Sequence, residues 1–147
     1  MKALLQRVVE ASVEVGGEEV GRIGHGLVCL VGVALGDTED DARRLADKTL
    51  NLRIFPDEAG RFNLSLLDCG YQILAVSQFT LLADTRKGRR PSFTEAASPS
   101  DAEALFNRFV ELARAAGLTV ETGRFQQHML VRIHNDGPVT ILLDSRG

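Results

Sequence analysis

A chain of 147 residues, 44% hydrophobic and 25% charged, has a globular composition and can bury a core without disulfides or metal, since folding covers about 68–70% of the unfolded surface at this size. No apolar run reaches the ~20 residues that span a bilayer, and the opening MKALLQRVVEASVEV alternates in polarity where a secretion signal would be uninterruptedly apolar, so the chain reads as cytoplasmic and as one domain, residues 1–147. A formal charge of −3 excludes a generally basic nucleic-acid binder and leaves room only for a local basic patch.

In chain order, residues 2–35 predict short strands: ALLQRVVEASVEV, then EEVGRIG after the Gly16-Gly17 turn, then GLVCLVGVAL. The last is apolar nearly throughout, as in a strand buried on both faces. Thr38-x-x-Asp41 has the spacing of a capping box, and Ala42, Leu45, Ala46, Thr49 and Leu52 or Arg53 follow at roughly helical spacing up to Phe55-Pro56. DEAGRFNLSLLDCG predicts a loop and a short strand. YQILAVSQFTLLA predicts a second apolar strand, interrupted at Ser77-Gln78. Ser98-Pro99-Ser100-Asp101 supplies an N-cap, a first-turn proline and a carboxylate. Ala102, Leu105, Phe106, Phe109, Ala113 and Ala116 then form one apolar helix face, closed by Gly117. Three further strands are predicted, LTVETG, HMLVRIHN and VTILLD, with Asn135-Asp136-Gly137-Pro138 as the turn between the last two. Strands with packed helices and no repeat point to a single α+β unit.

Few residues carry chemistry on their own. Cys29 and Cys69 lack the paired spacing of a zinc or redox site, and no His lies at helical i, i+4 spacing beside a carboxylate. No metal or cofactor is therefore expected. Ser77, Gln78 and Thr80 bring polar groups to the end of an apolar strand, where an unpaired buried donor or acceptor costs about 1–3 kcal/mol. They must bond to one another or to a ligand. A nucleophilic Thr80 would need a base such as His25, His128 or His134, and spacing does not join any of these to it. Arg86-Lys87-Gly88-Arg89-Arg90 is the one dense basic run, either a solvated loop or a contact to phosphates.

Read in order, LLQRVVEASVEV, RIFPDEAGRFNLSL, VSQFTLLADTRKGRRPSF, ASPSDAEALF, TGRF and NDGPVTILLD resemble the D-aminoacyl-tRNA deacylase family, also called D-tyrosyl-tRNA deacylase, nearly end to end. SQFT at 77–80 and NDGPVT at 135–140 match its two signature motifs. The resemblance implies an α+β fold of antiparallel strands forming a barrel-like pair of sheets, with two main helices packed outside, and a homodimer with active sites at the interface. It implies a partner, the aminoacylated 3′ end of tRNA, with no DNA and no membrane. The implied reaction is hydrolysis of the ester joining a D-amino acid, or glycine mischarged on alanine tRNA, to the terminal adenosine, assisted by the RNA's own 2′-hydroxyl.

Site residues follow from the same resemblance. Ser77, Gln78, Phe79 and Thr80 form the catalytic pocket floor, and Phe125 and Met129 cradle the terminal adenine. Gly137-Pro138, cis in this family, reaches into the other subunit's site and rejects L-amino acids, while Arg7 braces it. Arg86, Lys87, Arg89 and Arg90 meet the tRNA acceptor stem. The chain departs from the family at Gln126-Gln127, where small residues are usual. That departure motivates an alternative, a catalytically inactive dimeric tRNA-binding module; a third reading is an esterase using Thr80 with His128 or His134.

Overall fold

The computed structural model describes residues 1–147. In chain order the elements are β1 (Lys2–Val15), β2 (Glu18–Ile23), β3 (Gly26–Gly32), α1 (Glu39–Asn51), β4 (Phe55–Pro56), β5 (Phe62–Leu64) and α2 (Leu66–Cys69). They continue with β6 (Gln72–Ser77), a one-turn 3-10 helix (Phe79–Leu82), α3 (Pro99–Ala115), β7 (Val120–Thr122) and β8 (Leu130–Asp144). No helix is long and apolar enough to cross a membrane.

β1 organises the main sheet. It pairs antiparallel with β8 along nearly its whole length, with β3 through Lys2–Val8, and with β2 through Ala11–Val15. The sheet continues from β3 to β6 and β7. Here the expectation of antiparallel strands is corrected in part, because β3–β6 and β6–β7 are parallel. A parallel pair needs a long crossover, and α1 and α3 lie within those two connections. Strands covered on both faces read as continuous apolar runs, which explains why GLVCLVG and QILAV do. The α+β class and the barrel-like curl stand: β2 comes so close to β7 that a Cβ on Gly21 would lie 3.0 Å from the Thr122 carbonyl oxygen. β4 and β5 form a separate two-stranded sheet.

Alternation along the central strands divides the core in two. Leu27, Cys29, Val31, Ile73 and Ala75 join a 22-residue cluster with the helices, including Leu45 of α1 and Phe106 and Phe109 of α3. Val28, Leu74 and Val76 face the other way and fill the curled sheet with Val8, Ala11, Val13 and Ile23. Full burial of such side chains contributes roughly 1.5–3 kcal/mol each.

Both long helices begin where their caps predict. The Asp41 carboxylate accepts from the Thr38 amide at 2.8 Å, and the Ser98 hydroxyl accepts from the Asp101 amide at 3.3 Å ahead of Pro99. α1 ends at Asn51, before Phe55-Pro56, which form β4.

Three segments differ from their sequence reading. Within DEAGRFNLSLLDCG, read as a loop and a short strand, Leu66–Cys69 forms α2 behind the Ser65 cap. The strand predicted through SQFTLLA stops at Ser77, and Phe79–Leu82 turns into the 3-10 helix. Asn135–Pro138 is not a hairpin turn, because β8 runs unbroken from Leu130 to Asp144 against β1. Thr140 pairs with Gln6 and Asn135 with Val8, so Asp136, Gly137, Pro138 and Val139 all stand opposite Arg7 alone. The turn chemistry of Asn-Asp-Gly is used to throw out a bulge within one strand.

Candidate active site

The end of β6 and the start of the 3-10 helix open onto a cavity of about 600 Å³. Ser77, Gln78 and Phe79 lie on one side of it, and Phe125, Gln126 and Met129 on another. The floor is tied to the sheet by the Gln78 amide, which donates to the Val31 carbonyl at 2.8 Å. Gly32 permits this approach, since a Cβ there would lie 3.0 Å from the Gln78 carbonyl oxygen and still closer to Leu82. Gly123 has a similar duty: a Cβ would collide with the Met129 sulfur.

Thr80 is exposed and does not line the cavity. Its hydroxyl accepts from the Gln78 side-chain amide, so two of the strand-end polar groups bond to each other. None of the three histidines holds the Thr80 hydroxyl. His128 lines the cavity, the His134 imidazole lies 3.5 Å from the Glu10 carboxylate, and His25 stacks on Tyr71 at 5.6 Å between ring centroids.

The basic run sits on a loop closed by Asp84 and Ser92, whose backbone amides and carbonyls bond reciprocally at 2.7 and 2.9 Å. From there Phe93 meets Phe79 edge-to-face at 5.0 Å, which links the loop to the cavity floor. The four cations are not equivalent. Arg86 donates to Asp84 through Nε at 2.9 Å and Nη2 at 2.7 Å. These hydrogen bonds, with that of the Arg86 backbone amide, hold the Asp84 carboxyl down at about 2. Lys87, Arg89 and Arg90 are exposed and enter no such pair.

Gly137 and Pro138 are exposed and do not border the cavity of their own chain. Their peptide bond is cis. Side chains hold the base of the bulge: the Asn135 carboxamide oxygen accepts from the Val139 amide at 2.8 Å, and its nitrogen donates to the Thr140 hydroxyl at 3.0 Å. Beneath it Arg7 is 8% exposed. It donates to the Asp136 carbonyl at 2.9 Å and the Ile54 carbonyl at 2.8 Å, with its guanidinium 5.4 Å from the Phe62 ring centroid.

Sequence reading missed part of the cavity wall. Ala96, Ala97, Pro99 and Ala102 line it too, yet small residues around a helix cap signal only a helix start. Nor did spacing reveal Phe93 as the partner of Phe79; the only available sign was its place in RPSF, which follows the basic run.

The family model for D-Tyr-tRNA(Tyr) deacylase matches residues 4–144. The chain belongs to this family. The D-aminoacyl-tRNA deacylase of Dehalococcoides mccartyi is 62% identical over 146 residues, covering 99% of this chain and 95% of that protein. The enzyme of that name from Bacillus licheniformis is 56% identical and covers 99% of each chain. Among solved structures, one called c-Myc DNA Unwinding Element Binding Protein superposes with a TM-score of 0.92 at 44% identity over 98% of both chains. A probable eukaryotic D-amino acid tRNA deacylase shares the fold, with a TM-score of 0.84 at 21% identity, over 97% of this chain and 98% of the other.

Proposed function

We propose that this protein is a D-aminoacyl-tRNA deacylase, a cytoplasmic editing hydrolase whose single domain spans residues 1–147 and which acts as a homodimer. The observation that carries the reading is a division of its parts. Ser77, Gln78 and Phe79 of SQFT meet the Phe125–Met129 wall at one cavity, while Gly137-Pro138, the other signature element, stands braced by Arg7 and outside that cavity. A second copy would supply the missing wall. Exposed Phe62, beside Arg7, and Leu142 on β8 are each 56% exposed and offer apolar surface for such contact.

In this dimer the terminal adenine lies against Phe125 and Met129, by stacking and by adaptable thioether contact. The ester carbonyl meets the 77–80 floor. Water attacks the carbonyl carbon, the bond to the ribose O3′ breaks, and the proton passes to that oxygen with help from the neighbouring 2′-hydroxyl. First-turn amides of the 3-10 helix, at Phe79 and Thr80, have no partner within that helix. Aimed at the developing oxyanion, each donor is worth roughly 3–4 kcal/mol of the barrier. Gly137-Pro138 of the other subunit occupies the space an L side chain would need, so L is rejected without any pocket built for D. Glycine has no side chain to clash and is admitted, including when mischarged on alanine tRNA. Lys87, Arg89 and Arg90, with Arg86 in support, face the acceptor stem. The partner is tRNA; DNA and membrane have no role in this reading.

The test is amino-acid release from D-tyrosyl-tRNA ending in adenosine or in 2′-deoxyadenosine. Rapid release from the first and almost none from the second is expected. Equal release would return Thr80 to the role of nucleophile, and tRNA binding without release would favour the inactive binding module.

A further inference from the structure

Gln126 is the only non-glycine residue with a positive φ, +63°, and it lines the cavity between Phe125 and Met129. The left-handed region brings Cβ against the following carbonyl for any L-residue, a cost glycine does not bear. Strain of this kind persists where the surroundings enforce it, and it concentrates at ligand sites. Glycine would relax the turn and remove the side chain from the wall. This chain instead keeps a long carboxamide there. Two other carboxamides line the cavity: Gln78 has its nitrogen committed to the Thr80 hydroxyl, and Gln127 lacks the left-handed backbone that marks Gln126, whose side chain is exposed.

We propose that Gln126 is a substrate-binding residue that reads the edge of the terminal adenine. A carboxamide matches the N6/N7 edge of adenine: its oxygen accepts from the N6 amino group while its nitrogen donates to N7. Adjacent residues then divide the base between them, Phe125 taking the face and Gln126 the edge. This rests on the deacylase reading above and adds to it a base-specific contact from a residue that breaks the family pattern.

The experiment measures hydrolysis of D-tyrosyl-tRNA ending in adenosine or in 7-deazaadenosine, which lacks the N7 acceptor, by the unaltered protein, Gln126→Gly and Gln126→Asn. Asparagine tolerates a left-handed backbone but is one methylene too short to reach. For the unaltered protein, KM is expected to rise about tenfold on 7-deazaadenosine with kcat little changed, the effect of removing one good hydrogen bond to a base. Both variants, which lose the N6 and the N7 contact, should show a KM on adenosine raised at least as far and no further rise on 7-deazaadenosine, and Gln126→Gly should melt at a higher temperature. Hydrolysis by the unaltered protein with equal KM on both ends would overturn the role of Gln126 alone, as would variants that remain sensitive to N7. Failure of the unaltered protein to hydrolyse either substrate would overturn the deacylase reading, and this role with it.

Discussion

Thr80 lies just beyond the cavity floor with its hydroxyl engaged by Gln78, which argues for a supporting part rather than a nucleophilic one. Thr80→Ala is therefore expected to keep kcat on D-tyrosyl-tRNA within about tenfold, whereas removing a true nucleophile costs ~10⁴–10⁶. Single-turnover release separates the two. At the basic loop, neutralisation is expected to act unequally. Lys87→Ala, Arg89→Ala and Arg90→Ala should each lower the salt slope of tRNA binding by about 0.7–0.9 for every phosphate that is no longer neutralised. Arg86→Ala should lower it less, because Asp84 already offsets that charge. The sign of the pH dependence follows from Asp84. Its folded-state carboxyl is lowered from 3.8 to about 2, so the stabilisation from this pair is complete above the higher value and fades as pH falls toward the lower. At neutral pH the pair is intact, and the ranking of the four variants in binding assays at several salt concentrations should not change between pH 6 and 8.

Among the elements, β8 departs most from its sequence reading. Arg7 faces the Asp136–Val139 bulge and bonds to the Asp136 and Ile54 carbonyls. Arg7→Met would leave both acceptors unpaired, at about 1–3 kcal/mol each where buried. The expected result is a lower melting temperature and a larger loss of D-tyrosyl-tRNA hydrolysis, with the circular dichroism of the folded chain retained. The helices were legible because their information is local: Thr38 with Asp41, and Ser98 with Pro99, mark the starts within four residues. The apolar runs of β3 and β6 disclosed burial on both faces but not strand direction, which depends on the helices that cross between them. Asn135–Pro138 looked like a turn because its residues are those of a turn, and only its pairing with β1, far away in sequence, keeps the strand continuous. The candidate site divides in the same way. Ser77, Gln78, Phe79, Phe125 and Met129 were legible through motif resemblance, and they meet at one cavity. Ala96 and Ala102 were not, since small residues lining a wall carry no chemical signal of their own.

For the whole molecule, the fold depends on two hydrophobic clusters on opposite faces of one sheet, and the cavity opens where β6 passes between them. Phe109 is fully buried in the larger cluster. Phe109→Ala should destabilise the protein by roughly 3–5 kcal/mol, lowering the melting temperature by roughly 10 °C or more for a domain of this size. Phe125 packs against that cluster and Ala102 of α3 lines the cavity, so the loss should appear in thermal denaturation and, with it, in activity as the temperature rises. The chemistry proposed for the assembled molecule is discrimination by exclusion: one subunit offers a permissive floor and the other a wall that only an L side chain meets. It is tested most directly by measuring amino-acid release from D-tyrosyl-tRNA and L-tyrosyl-tRNA in parallel with purified protein. Fast release of the D-amino acid and almost none of the L is the predicted result. Equal release of both would describe a general esterase and contradict the chiral exclusion proposed for Gly137-Pro138.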